Sequence, residues 1–494
     1  MSLMNIISKI KASELGVKLL SSTLWSLLGG VLARGLAFIS FIIVARILGK
    51  ESLGQLAIIQ STAIMISSFA AFGLAITASK HIAEFRTVDP FRAGKILKLS
   101  MMVSTVSGLI FSALLFFNSQ WLASNVLAAP EISQLLQLSS LMLFFLALDG
   151  AQSGALVGFE VFKLTAKLNL YKGLVTFIAL VVGVYIDGVR GATVGLVIGS
   201  FVGWLQNNIA VKKQIKKFKI PMVSFSECKS EIVMLWKFSL PSAISGVLIA
   251  PTVWLCSTML VNEPNGYQEL GLYDVSNRLY QMMVFVGVAI GAPLLPMLAN
   301  EKTASNKKLK KFNIIVTWMA GLIPLYPLIV FPEIIQWIFG EKYSGSEMLK
   351  VTTLMLVASC VVLYKQGLAR ALAANNLMWW GTLSNLFWAI TMIGAASYLV
   401  SYGAIGLALT VLISYALNTI VVIPLYVSKN LVPRSTLISY ESMVIWSLTL
   451  IPIYMIWNDY SILIKAAYLA ISISVICYCF YRLYFNDKDI YVPE

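Results

Sequence analysis

The chain has 494 residues, of which 59% are hydrophobic and only 12% charged, with a net charge of +15 and a mean hydropathy of +0.83. A soluble domain covers its surface with about 25% charged residues, so this composition excludes a soluble globular protein and leaves no polar stretch where a separate soluble domain could fold. The five cysteines (Cys228, Cys256, Cys360, Cys477 and Cys479) form neither a disulfide framework nor a zinc-ligand spacing and read as packing residues.

The start, Met1 to Lys18, leads into an apolar run longer than a signal-peptide core and has no small-residue cleavage site, so no removable signal is expected. A membrane-crossing helix needs about 20 mostly apolar residues. In chain order that rule places spans at 21–45, 55–79, 96–118, 134–158, 170–187 and 191–211. A second set follows at 234–261, 271–298, 312–332, 347–372, 380–401 and 404–427, and two more at 439–457 and 462–482. The fold class is thus all-α integral membrane, with about fourteen transmembrane helices. The fifth and sixth are joined only by the turn Asp187-Gly188-Val189-Arg190.

The basic residues sort by side. With a cytoplasmic N-terminus, 29 of the 37 Lys and Arg lie in inner segments, six in outer ones, and Arg34 and Arg278 within spans. Such a bias orients a polytopic protein and puts both termini in the cytoplasm. It also accounts for the basic charge, since lysines on that side face anionic lipid; nucleic acid is not expected as a partner.

The chain also resembles itself at an offset of 211 to 217 residues. Ser139-Ser140-Leu141-Met142-Leu143 answers Thr352-Thr353-Leu354-Met355-Leu356, Gly154 answers Gly367, and Asn169-Leu170 answers Asn385-Leu386. Gly188-Val189-Arg190-Gly191 answers Gly403-Ala404-Ile405-Gly406, Leu24-Trp25 answers Leu235-Trp236, and Leu53-Gly54 answers Leu270-Gly271. Each repeat holds six spans, an even number, so the bundles are related in parallel. The expected organisation is a six-helix bundle over 1–211, a basic cytoplasmic linker over 212–233, a second bundle over 234–427, and two further helices with a tail over 428–494. Paired parallel halves around a cavity are a transporter design.

Ionisable residues inside a membrane cost about 2.5–3.5 kcal/mol each on insertion scales and mark pathways. Arg34 sits among Gly29, Gly30 and Gly35, and reads either as a cavity cation for a phosphate or as the partner of Asp149. Asp149 is either a protonatable coupling site or a permanent counter-ion. Asp274 and Arg278, four residues apart, share a helix face and form either an ion pair or part of the cavity. Lys237, Lys365 and Arg370 lie near inner helix ends, where they either reach the interface or line an inward mouth that receives a lipid phosphate. His81, the single histidine, reads as interfacial.

The stretch LWSLLGGVLARGLAFISFIIVARILGKESLGQLAIIQS from Leu24, continuing to FGLAITASKHIAEFRTVDPFRAG, resembles the O-antigen (Wzx-type) flippases of the multidrug/oligosaccharidyl-lipid/polysaccharide exporter superfamily. Ala45-Arg46-Ile47-Leu48-Gly49 and Phe339-Gly340-Glu341-Lys342-Tyr343 look like recurring outer-loop phrases of that group. The resemblance implies a bacterial inner-membrane protein that moves an undecaprenyl-pyrophosphate-linked oligosaccharide to the periplasmic leaflet. It further implies H⁺ or Na⁺ antiport, with no other cofactor and no metal, and membrane lipids and polysaccharide polymerase machinery as partners. Cationic cavity residues, with Arg34 and Arg278 the natural positions, would hold the pyrophosphate, and Asp149 and Asp274 are the ion-coupling candidates.

Two rivals within transport are a drug or cation antiporter and a peptidoglycan-precursor flippase. A membrane glycosyltransferase or polymerase fits less well, because no outer loop pairs carboxylates for acid–base work. No G-x-x-x-x-G-K-[ST] loop is present to bind ATP, so a gradient is the expected energy source.

Overall fold

A computed structural model of the chain describes residues 14–71, 73–221, 223–228, 231–232, 247–291, 294, 298, 307–375 and 377–485. Among these the structure is helical, with no strand. Ten helical stretches are long and apolar enough to cross a membrane.

The first six spans take shape as α1 (Glu14–Leu48), α2 (Lys50–Ala70), α3 (Leu74–Phe85), α4 (Pro90–Trp121), α5 (Ser133–Gly158) and α6 (Phe162–Lys217). Two departures from a simple span list have local causes. The expected helix 55–79 is broken, because Gly73 at φ 66° ends one helix and starts the next. The 56 residues of α6 are a hairpin, turned at Asp187 (φ −147°) and Gly188 (φ 47°) as the four-residue turn implied. Its arms close on a stripe of glycines. A methyl on Gly191 would lie 1.8 Å from the Gly183 carbonyl oxygen, and one on Gly195 2.7 Å from that of Ala179. Small residues four apart let helices approach this closely where lipid offers no hydrophobic drive. At the start of α4, Asp89 accepts a hydrogen bond from Arg92 N ahead of Pro90, an N-cap with proline in the first turn.

The remaining helices are α7 (Ile249–Val261), α8 (Gly266–Gly291), α9 (Lys307–Val330), α10 (Ser346–Ala374), α11 (Met378–Leu399), α12 (Gly403–Ser428), α13 (Tyr440–Trp457) and α14 (Ile462–Phe485). The apolar stretch Trp379–Ser428 is again two passes, joined at Tyr402 and Gly403 (φ 64°). With both hairpins counted double, the ten stretches supply twelve of the fourteen expected spans. The other two are α8, long enough but carrying Glu269, Asp274 and Arg278, and 234–261, of which α7 is the described part.

The described residues form two compact units, one drawn from Met1–Leu48 and Gln55–Trp254, the other from Gly49–Gly54 and Leu255–Glu494. The first unit's main core joins α3, α4, α5 and the end of α6 through Ile82, Leu97, Leu156, Phe159, Val211 and Ile220. Gly154 lets α5 touch α3: a methyl there would lie 2.2 Å from the Ala75 carbonyl oxygen. In the second unit α10 is the buried centre. Trp318 of α9, fully buried, meets Tyr364, Trp446 and Phe480 at ring distances of 4.9, 5.0 and 5.1 Å. Those contacts make α13 and α14 integral to that unit's packing.

Candidate substrate and ion sites

In the first unit, three polar side chains meet inside the membrane-spanning helices. Asp149 comes from α5, and Lys172 and Asn207 from the two arms of α6. Lys172 Nζ donates to Asp149 Oδ2 at 2.8 Å, and Asn207 Nδ2 donates to Oδ1 at 2.6 Å. Both carboxylate oxygens are therefore occupied. Gly203 makes the room: a methyl there would lie 2.7 Å from Lys172 Cε, so the lysine stem crosses the opposite arm at this glycine. Lys172 reads from sequence as a residue at a span's inner margin, yet it lies ten residues beyond the start of α6 at Phe162.

The carboxylate of Asp149, for which the sequence offers Arg34 as a partner, is held by Lys172 and Asn207. Arg34 is exposed on this unit. Its neighbour Ala33 backs onto Gly173, a methyl on which would lie 3.6 Å from Ala33 Cα. Arg34 therefore sits at the depth of the Asp149–Lys172 pair. His81 bonds Glu84 one turn on, at 3.2 Å. A cavity of about 390 Å³ opens between α3 and α5, lined by Ala75, Ile76, Ser79, Lys80, Ser153 and Val157 among others.

In the second unit, Asp274 and Arg278 lie on one face of α8 and pair at 3.5 Å, as their spacing implies, with Asp274 buried. Lys365 of α10 donates to Asn418 Oδ1 of α12, with its ammonium 5.7 Å from the Tyr415 ring centre. Asn418 is fully buried; its Nδ2 donates to the Ser384 carbonyl of α11 at 2.6 Å, and Ser384 Oγ donates to Asn418 Oδ1 at 3.1 Å. Arg370, further along α10, donates from Nε to Asn313 Oδ1 at 2.8 Å and from Nη2 to the Asn313 carbonyl (2.8 Å) and Thr317 Oγ1 (3.1 Å). Among the described residues neither Lys365 nor Arg370 meets a carboxylate. Lys237 lies outside the described residues.

Neutral partners hold both cations: three hydrogen bonds for Arg370, and one hydrogen bond with a ring face for Lys365. A cation held by neutral groups keeps its charge available and is suited to an anionic ligand.

Sequence reasoning did not find Asn207, Asn313, Asn418 or Lys172 as members of these clusters. The asparagines carry no spacing signal, and Lys172, at the start of the expected span 170–187, reads as part of its inner margin.

The architecture defines a class before any family does: a multi-pass helical bundle with charges held between its spans. Solved structures share it. A lipid II flippase, MurJ, in an inward closed conformation superposes with a TM-score of 0.69 and 16% identity, covering 93% of this chain and 99% of that one. An inward-facing multidrug resistance MATE family transporter of the MOP superfamily superposes at 0.64 with 15% identity, over 78% and 92%. The fold is that of the MOP-superfamily transporters. The chain belongs to the Polysaccharide biosynthesis protein family, whose model matches residues 19–302. Similar curated proteins are the EPS I polysaccharide export inner membrane protein EpsE of Ralstonia nicotianae, 21% identical over 80% of this chain and 91% of that protein, and the stage V sporulation protein B of Bacillus subtilis, 21% identical over 81% and 82%.

Proposed function

We propose that the protein is a flippase of the bacterial inner membrane that carries an undecaprenyl-pyrophosphate-linked O-antigen oligosaccharide from the cytoplasmic to the periplasmic leaflet. It has both termini in the cytoplasm and is driven by an H⁺ or Na⁺ gradient. The observation that carries this reading is that Lys365 and Arg370, inside the spans of the second unit, meet no carboxylate among the described residues. Sugar hydroxyls and a pyrophosphate cannot cross hydrocarbon unaided, because each unsatisfied polar group costs several kcal/mol. A protein that moves them needs cations within the membrane that are not already neutralised. Lys365 and Arg370 meet that requirement, with Arg34, Arg278 and Lys237 as further cationic positions along the route.

The names of similar proteins support the class: a polysaccharide export protein of the inner membrane and a lipid II flippase. A carrier of cationic drugs is disfavoured, because Lys365 and Arg370 would repel its cargo. A gradient is sufficient for charge-coupled movement, at about 2.3 kcal/mol per elementary charge per 100 mV. Asp149 and Asp274 are the coupling carboxylates, each held against a cation that its protonation would release.

The test is complementation of a flippase-deletion strain, scored for surface O-antigen at matched expression. Wild type restores it, while Lys365→Gln and Arg370→Gln reduce it at least tenfold. Full restoration by both variants removes the cation assignment. Failure of wild type to rescue O-antigen, with rescue of a strain depleted of its lipid II flippase instead, moves the substrate to the peptidoglycan precursor.

A further inference from the structure

The two polar clusters are built by corresponding helices. Chain order and the repeat pair α5 with α10, the first arm of α6 with α11, and the second arm with α12, and the paired turns at Gly188 and Gly403 share one backbone conformation (φ 47°, ψ −128° and φ 64°, ψ −145°). In the first unit these helices bring together Asp149, Lys172 and Asn207; in the second they bring together Lys365, Ser384 and Asn418. Each cluster is thus one ammonium and one buried asparagine. Among the described residues only the first adds a carboxylate.

At the repeat offset of 213 residues, Val362 stands where Asp149 does, and Lys365 stands where Gln152 does. Gln152 is itself buried, and among the described residues its amide oxygen has no hydrogen-bond partner. The first unit therefore holds its own anion against a lysine, while the second leaves its lysine open to one from outside.

We propose that Lys172 is a second, masked oxyanion site, at which a phosphate-bearing group takes the place of the Asp149 carboxylate. The masked state is the one the structure shows. The ligand is the same chemical class that Lys365 accepts, so this inference rests on the proposed function for its substrate but on the first unit alone for its geometry. When Asp149 gives way, through protonation or displacement, the ammonium and Asn207 Nδ2 are two donors already converged on the place of one carboxylate.

The test uses full-length protein in phosphatidylcholine nanodiscs and inorganic pyrophosphate as the probe, with binding read by calorimetry. Asp149→Asn, folded as judged by size exclusion and unfolding temperature, binds pyrophosphate about tenfold more tightly than wild type, the change expected when a competing internal charge pair worth about 1.4 kcal/mol is removed. Asp149→Asn combined with Lys172→Gln returns to the wild-type affinity. Should Asp149→Asn not fold, Asp149→Ser, which removes the same charge, takes its place. No gain in the folded variant, or a gain that survives Lys172→Gln, overturns the masked site. Adding phosphatidylglycerol distinguishes the ligand's source: competition with pyrophosphate identifies a lipid headgroup, and its absence identifies the transported head. If Lys365→Gln leaves both binding and transport intact, the proposed function fails separately, whatever Asp149→Asn does.

Discussion

Gly54 and Gly271 occupy each other's missing side chains. A methyl on Gly54 would lie 1.9 Å from the Tyr267 carbonyl oxygen, and one on Gly271 would lie 2.0 Å from that of Lys50. Tyr267 precedes Gly271 by four residues and Lys50 precedes Gly54 by four, so the contact is reciprocal, with the self-complementary character of a two-fold interface. These two glycines are one of the pairs that the internal repeat matches. The first turn of α2 therefore docks on the first turn of α8 within the second unit, although the rest of α2 belongs to the first.

Because backbone carbonyls stand on the other side, neither glycine can gain a methyl without the helices separating. Gly54→Ala and Gly271→Ala each lower stability by about 1–3 kcal/mol, the usual cost of overpacking, and reduce transport. The check is the unfolding temperature in detergent together with surface-polysaccharide complementation. Gly381→Ala, at a site with no atom within 4 Å of the added methyl, is the control and leaves both unchanged.

Asn418 gives a prediction in which stability and function move in opposite directions. Its Oδ1 accepts from both Lys365 and Ser384 Oγ. Asn418→Asp converts that acceptor into a counter-ion for Lys365, so the folded protein is as stable or more so, while transport falls at least tenfold because the cation is neutralised. Asn418→Ala removes the acceptor that the ammonium and Ser384 Oγ share and destabilises by about 1–3 kcal/mol. A thermal-unfolding series beside a transport assay separates the two. Asn418→Asp that transports normally removes Lys365 from the route.

Most of the architecture was legible in the sequence because apolar length is a local property. A run of some twenty apolar residues is helical in lipid whatever packs against it, and Asp187-Gly188 announces its turn by composition. The break at Gly73 was not legible, since a single glycine in an apolar run signals a kink no more than it signals close packing. The Asp274–Arg278 pair followed from spacing on one helix. The partners of Lys365 and Arg370 did not, because Asn418 and Asn313 lie 53 and 57 residues away along the chain, and an amide in a span has no periodic signature. Lys172 was misplaced by the same locality: it stands beside an apolar run, and only the opposite arm, with Gly203, shows that its ammonium turns inward.

Asp149 and Lys172 form a partly buried pair, with side-chain exposures of 15% and 28%. Removing one partner from a fully buried pair costs about 3–5 kcal/mol, and neutralising both is far less costly; partial exposure brings the single-variant figure here to about 1–3 kcal/mol. Asp149→Ala and Lys172→Ala are each expected to destabilise by that amount, and the double variant by less than the sum. The measurement is a double-mutant cycle on unfolding temperature. Strict additivity would mean that the two charges do not support each other in the membrane.

The turn glycines Gly188 and Gly403 share a backbone conformation but not surroundings, which predicts unequal costs. Both have positive φ with strongly negative ψ, a region that an L side chain enters at about 1–3 kcal/mol. Around Gly188 a methyl meets only Leu48 Cδ2, at 3.9 Å. Around Gly403 it would lie 2.4 Å from Glu269 Oε2, whose carboxylate accepts a hydrogen bond from Ala404 N at 2.7 Å. That carboxylate caps the start of α12, where the helix dipole favours negative charge. Gly188→Ala should therefore cost only the backbone strain. Gly403→Ala should cost more, because it also drives Glu269 off the helix end. Adding Glu269→Ala to Gly403→Ala relieves the clash but not the strain, so its further effect is smaller than that of Glu269→Ala in the wild type. Thermal unfolding of the four variants checks the order, and equal losses at the two glycines would show that Glu269 contributes nothing to that turn.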